Sequence, residues 1–187
     1  MADSAEAITY GELEAASNQA AHLYRERGLT PGDGIAILLG NEPDYLKIVW
    51  GAQRSGLYFT PISVLFSAAE IEYIVDNSDA KLLITRTAFA DGIDLTAFDA
   101  DVLLLDGDDP ATNWFGQAGT QPTEPIADET EGAEMVYSSG TTGKPKGVRF
   151  PLSGAELGTI LDEGRAMATG TPQELMDNPE LAERYFK

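Results

Sequence analysis

The stretch MVYSSGTTGKPKGVRF, Met135 to Phe150, sets three glycines, two lysines and four serine or threonine hydroxyls between two apolar ends. Glycine lets a backbone approach a ligand closely, and successive amide N–H groups form a concavity that suits phosphate oxygens. Lys144 and Lys146 add positive charge to that concavity. The run departs from the common phosphate-loop pattern G-x-x-x-x-G-K-[ST]. Gly143 and Lys144 are followed by Pro145, which offers neither a hydroxyl for magnesium nor a backbone donor. Residue types alone leave two readings, a different phosphate loop or a plain turn.

Other chemistries drop away. The 187 residues hold no cysteine, which removes disulfides and thiolate metal sites, and one histidine, which argues against a zinc site or a histidine-based triad. That histidine, His22, falls beside the apolar stripe of a predicted helix and reads as a boundary side chain. A net charge of −19 argues against nucleic acid, whose binding rests on clustered lysine and arginine. The acidic balance reads as a solubility-adapted surface, so a bound anion must be held by local donors against an unfavourable field. No apolar run is long enough for a membrane helix, and the start MADSAEAI lacks the basic and apolar regions of a signal peptide. The expectation is a soluble, cytoplasmic protein whose 43% apolar residues suffice for a core.

The elements around the loop alternate. Thr9 and Glu12 make a capping box, and Leu13, Ala16, Ala20, Leu23 and Tyr24 recur on one face, predicting a helix from Tyr10 to Arg27 closed by Gly28. IAILLG reads as a buried strand, and Asn41 as the cap of a second helix ending near Gly56. YFTPI is a strand, Ser67 and Glu70 cap a helix over IEYIV, and AKLLIT and DVLLL are strands again. Short apolar runs alternating with helices predict an α/β fold, a partial doubly wound parallel sheet flanked by helices. Residues 107–132 lose periodicity and read as a surface connection before the chain re-enters the sheet at AEMVYSS.

YSSGTTGKPKG resembles the signature loop of the adenylate-forming superfamily, which includes the AMP-dependent acyl-CoA synthetases and aryl-CoA ligases. Upstream, the segments from ITYGELEAAS to YFTPIS, and SAAEIEYIVDNSDAKLLIT, are similar in order and spacing to the start of those enzymes' large domain, over roughly the first 158 residues. The resemblance implies an ATP-dependent acid–CoA ligase. A carboxylate attacks the α-phosphorus of ATP to give an acyl-adenylate and pyrophosphate, and coenzyme A then displaces AMP. Ser138, Ser139, Gly140, Thr141, Thr142, Gly143 and Lys146 are implied to hold the β- and γ-phosphates, with magnesium as the accompanying ion. Donors already aimed at the leaving pyrophosphate lower the barrier electrostatically. Pro145 would stiffen the turn, and Lys144 stands at a position the family leaves variable. Ser63 stands where relatives commonly carry asparagine, in a segment read as structural.

After Gly158 the rhythm changes. TILDEGRAMATG reads as two short strands about an Asp-Glu-Gly turn, and TPQEL and NPELAERYF as helix starts. This short α+β tail, 159–187, resembles the C-terminal end of ATP-binding-cassette ATPase subunits. The expected organisation is therefore a partial AMP-binding domain, 1–158, joined to an unrelated tail. The family's remaining pockets have no counterpart after Gly158, which keeps a non-catalytic phosphate-binding remnant or an inert fusion fragment as alternatives. A sheet so shortened has an unpaired edge through which copies could associate.

Overall fold

The computed structural model describes residues 7–138, 145–152, 159–162, 165–169 and 178–179. Helix α1, Tyr10–Glu26, opens where the Glu12 N–H donates to the Thr9 hydroxyl at 3.2 Å and the Thr9 N–H donates to the Glu12 carboxylate at 2.8 Å. The predicted capping box thus satisfies donors that the first helical turn leaves without partners. Gly28, at φ +79°, turns the chain through the left-handed region that side chains avoid. Strand β1, Gly34–Leu38, is buried at every position, as a central parallel strand must be.

Helix α2, Pro43–Arg54, corrects one expectation. Its cap residue is Glu42 and not Asn41, because Pro43 occupies the first helical position, for which its fixed φ is suited. Glu42 makes no side-chain cap bond, and its carboxylate is instead held by Arg86. Strand β2, Tyr58–Pro61, leads to α3, Ala68–Asn77, where the Ser67 N–H and hydroxyl donate to Glu70 at 2.9 and 2.7 Å. Strands β3, Ala80–Thr85, and β4, Asp101–Leu104, follow.

The stretch 107–132 is more than a surface connection. It forms a short helix α4, Trp114–Ala118, and buries Trp114 and Ile126. Polar groups of α1 hold it in place: Asn18 Nδ2 donates to Thr123 O at 2.7 Å, and His22 Nε2 lies 3.0 Å from Glu124 O. His22 therefore has a structural carbonyl partner, in keeping with a boundary role.

Strands β5, Ala133–Ser138, and β6, Lys146–Arg149, complete a six-stranded sheet of order β4-β3-β1-β2-β5-β6. All neighbours are parallel except β5 and β6. Alternation along the strands divides the core between two faces. Ile35, Ile37, Leu82 and Ile84 pack with α1, α2 and α4, while Ala36, Leu38 and Leu83 pack with α3. Helices thus cover both faces, as the doubly wound reading requires. In the tail, β7, Thr159–Asp162, and β8, Arg165–Thr169, form an antiparallel hairpin, the predicted strand pair. Most of the predicted helix starts beyond it lie outside the described residues. Among the described residues no helix is long and apolar enough to cross a membrane.

Candidate functional site

The site forms where the sheet divides. Strand β5 pairs with β2 only at Tyr58↔Ala133 and Phe59↔Glu134. From Met135 onward its ladder partner is β6, through Met135↔Arg149, Val136↔Val148, Tyr137↔Gly147 and Ser138↔Lys146. The hairpin arms therefore peel away from β2 toward the carboxyl edge of the parallel strands. Pro61, the last residue of β2, has no N–H with which to extend the ladder.

A crevice of about 370 Å³ opens in this fork, bordered by Gly40, Tyr45, Pro61, Ser63, Phe66 and Tyr137. Its position follows from the topology. The chain leaves β1 for α2 on one face and leaves β2 for α3 on the other, so their loops part at the carboxyl edge. Doubly wound sheets bind ligands at such a parting.

The pairing of Ser138 with Lys146 brings the ends of both hairpin arms to this same edge. Of the expected phosphate ligands, the structure sets Ser138 and Lys146 opposite one another at the ends of the two arms. Ser139, Gly140, Thr141, Thr142 and Gly143, with Lys144, lie outside the described residues. Pro145 is buried at the start of the return arm, and Lys146 is exposed beside it.

Charge is distributed unevenly. Arg25, Arg27, Lys47, Arg54, Lys81 and Arg86 each hold a carboxylate partner. Among the described residues, Lys146 and Arg149 of β6 have none, which leaves Lys146 free to meet an outside anion in a chain of net charge −19. No group of three His, Cys, Asp or Glu side chains among the described residues is disposed to hold a metal ion. The magnesium implied by the resemblance has no protein cage there.

Tyr137 escaped the sequence reading. Its hydroxyl donates to Asn77 Oδ1 at 2.9 Å, and its ring lies against the backbone of β6, where a Cβ on Gly147 would stand 2.9 Å from Cζ. Burial pushes the Tyr137 phenol up to about 12, with Tyr73 and Asp79 adding to the shift. The available signal was positional: an aromatic residue one step before the hydroxyl run, at the end of a strand.

Residues 1–154 match the family model described as AMP-binding enzyme. The chain belongs to that family. Gramicidin S synthase 2 of Brevibacillus brevis is 34% identical over 146 residues, which are 78% of this AMP-binding chain and 3% of that protein. The fatty acid–acyl-carrier-protein ligase ScoC of Streptomyces coeruleorubidus is 31% identical over 142 residues, 75% of this chain and 27% of that one. Among solved structures, apo MatB from Rhodopseudomonas palustris aligns with TM-score 0.62 at 26% identity, over 76% of this chain and 29% of that one. The anthranilate CoA ligase AuaEII, in complex with anthranoyl-AMP, shares the fold with TM-score 0.67 at 23% identity, over 75% of this chain and 29% of that chain. The chain thus spans less than a third of the length of each of these proteins. The matched region stops short of the tail and gives its resemblance to an ATP-binding-cassette ATPase no support.

Proposed function

We propose that the chain carries the triphosphate-gripping part of an adenylate-forming ligase. In the first half-reaction a carboxylate oxygen bonds to the α-phosphorus of ATP, the bond from that phosphorus to the bridging oxygen of the β-phosphate breaks, and pyrophosphate leaves. Negative charge gathers on the departing group, so cations and amides fixed nearby stabilise the transition state more than the ground state. Lys146 would supply the cation, and Ser138 through Gly143 the amide and hydroxyl donors. One observation supports this reading: Ser138 and Lys146, the two described residues among the expected phosphate ligands, stand opposite each other where the hairpin arms end, next to Tyr137 of the crevice.

Magnesium would arrive on the phosphates it bridges, as it commonly does in nucleotide sites. Transfer to coenzyme A completes the reaction in the acyl-CoA synthetases. Relatives that include a peptide synthase and an acyl-carrier-protein ligase leave the shared adenylation as the firmer half of the proposal. We take 1–158 as the partial AMP-binding unit and 159–187 as a separate tail. A binding-only reading is favoured for these 187 residues by themselves, since they span 29% or less of the proteins compared above. ATP–pyrophosphate exchange with a panel of fatty and aryl acids separates the two: acid-dependent exchange supports the ligase, and nucleotide binding without exchange supports the remnant.

Self-association along β6 is the corresponding proposal for partners. Among the described residues β6 is an edge strand, and its cross-strand pair Val136 and Val148 is 44% and 46% exposed. Sedimentation should show concentration-dependent association that Val148→Lys reduces. A monomer at every concentration would remove the idea.

A further inference from the structure

Arg149 lies at the far end of the return arm from Lys146, and it reaches back across the sheet. Its guanidinium carbon stands 3.9 Å from the centroid of the Tyr58 ring, and its Nη2 donates to Gly32 O at 2.8 Å. The Tyr58 hydroxyl donates to Phe150 O at 2.6 Å. In the sheet order β5 lies between β6 and β2, so the Arg149 side chain crosses β5 to reach the start of β2 and the turn before β1.

The crossing occurs at the pivot of the hairpin. Only Tyr58↔Ala133 and Phe59↔Glu134 join β5 to β2, and the arms beyond them are paired to each other alone. Two register pairs are a narrow base for a hairpin that must hold its turn at a fixed place. A guanidinium clamped between an aromatic face and a carbonyl adds a directional contact to those pairs and to the Tyr58–Phe150 bond, because Arg stacks as a plane and donates along fixed directions. Tyr58 is nearly buried, at 7% exposure, and so gives that contact a rigid seat.

We propose that Arg149 is a positioning residue that, clasped to Tyr58 and Gly32, sets the angle at which the hairpin leaves the sheet and so the place of its phosphate-binding turn. This rests on the reading of that turn as a triphosphate site. Arg149 is exposed and meets the core through the Tyr58 face of the clasp, so its loss should move the hairpin more than the stability of the whole.

The test compares the full chain with Arg149→Gln and Arg149→Lys by calorimetric titration with Mg-ATP, urea unfolding and amide hydrogen exchange. Arg149→Gln should weaken Mg-ATP about tenfold at an almost unchanged unfolding midpoint, with Arg149→Lys recovering part of the loss by keeping a cation over the ring. Exchange at the β6 amides that bond to β5 should quicken in Arg149→Gln while that of β1 stays as in the wild type. Equal affinities for wild type and Arg149→Gln would overturn the proposal, as would a loss of stability and protection spread through the entire chain. Should the wild type bind no Mg-ATP, the triphosphate reading fails separately, and exchange still decides the clasp: unchanged rates at the β6 amides that bond to β5 overturn it, and faster local rates sustain it.

Discussion

The Tyr137 hydroxyl donates to Asn77 Oδ1 at 2.9 Å and so fastens β5 to the end of α3. Burial raises this phenol from 10.0 to about 12, which favours its neutral form in the folded state. The stability it contributes is therefore complete below pH 10.0 and is lost as pH rises through about 12. Unfolding midpoints across that range should fall less steeply for Tyr137→Phe than for the wild type. Parallel curves would mean that the phenol is solvated and the fastening is absent.

Glu129 and Glu14 give a test of opposite signs within one carboxylate pair. Burial raises its carboxyl above 4.5, against the pull of the Arg54 guanidinium 3.2 Å away. Glu14, on the other side of Arg54, is lowered chiefly by its hydrogen bonds to that guanidinium. Stability from Glu129 is present below its ordinary value and lost as pH rises through the folded one; stability from Glu14 is lost as pH falls. Glu129→Gln should therefore remove a decline above pH 4.5 without altering the acid limb. Urea midpoints that keep the decline in the variant would assign it to another group.

Gly51 tests the contact between α1 and α2. A Cβ there would stand 2.5 Å from Ala20 Cβ and 3.1 Å from Ser17 O. Alanine improves a helix interior by roughly 0.5–1 kcal/mol over glycine, but overpacking costs about 1–3 kcal/mol. The clash should win. Gly51→Ala is expected to lower the urea midpoint, and a variant as stable as the wild type would show that the helices can part without cost.

What could be read in the chain follows from where its signals are local. Capping at Thr9 and Ser67 and the apolar runs of β1 and β3 depend on a few adjacent residues, and those elements stand where the sequence sets them. Residues 107–132 were harder because their anchors are distant. Asn18 and His22, polar side chains of α1, bind carbonyls of Thr123 and Glu124 about a hundred residues away, and Trp114 is buried at 2% exposure without any periodic pattern around it. Asn41 misled because its side chain suits a cap, whereas Pro43, two residues on, fixed the helix start. In the site, the hydroxyl and lysine run was legible as a motif. The fork between β2 and β5 was not, since it depends on which strands pair and where the pairing stops.

The proposed role of the turn between Ser138 and Lys146 is to grip a polyphosphate. Its most direct measurement is calorimetric titration of the full chain with Mg-ATP, beside the Lys146→Ala variant. A saturable heat is expected for the wild type, weakened about tenfold or more by loss of a charged hydrogen-bond donor in the variant. No heat from the wild type at millimolar nucleotide, or superimposable curves for the two proteins, would contradict it.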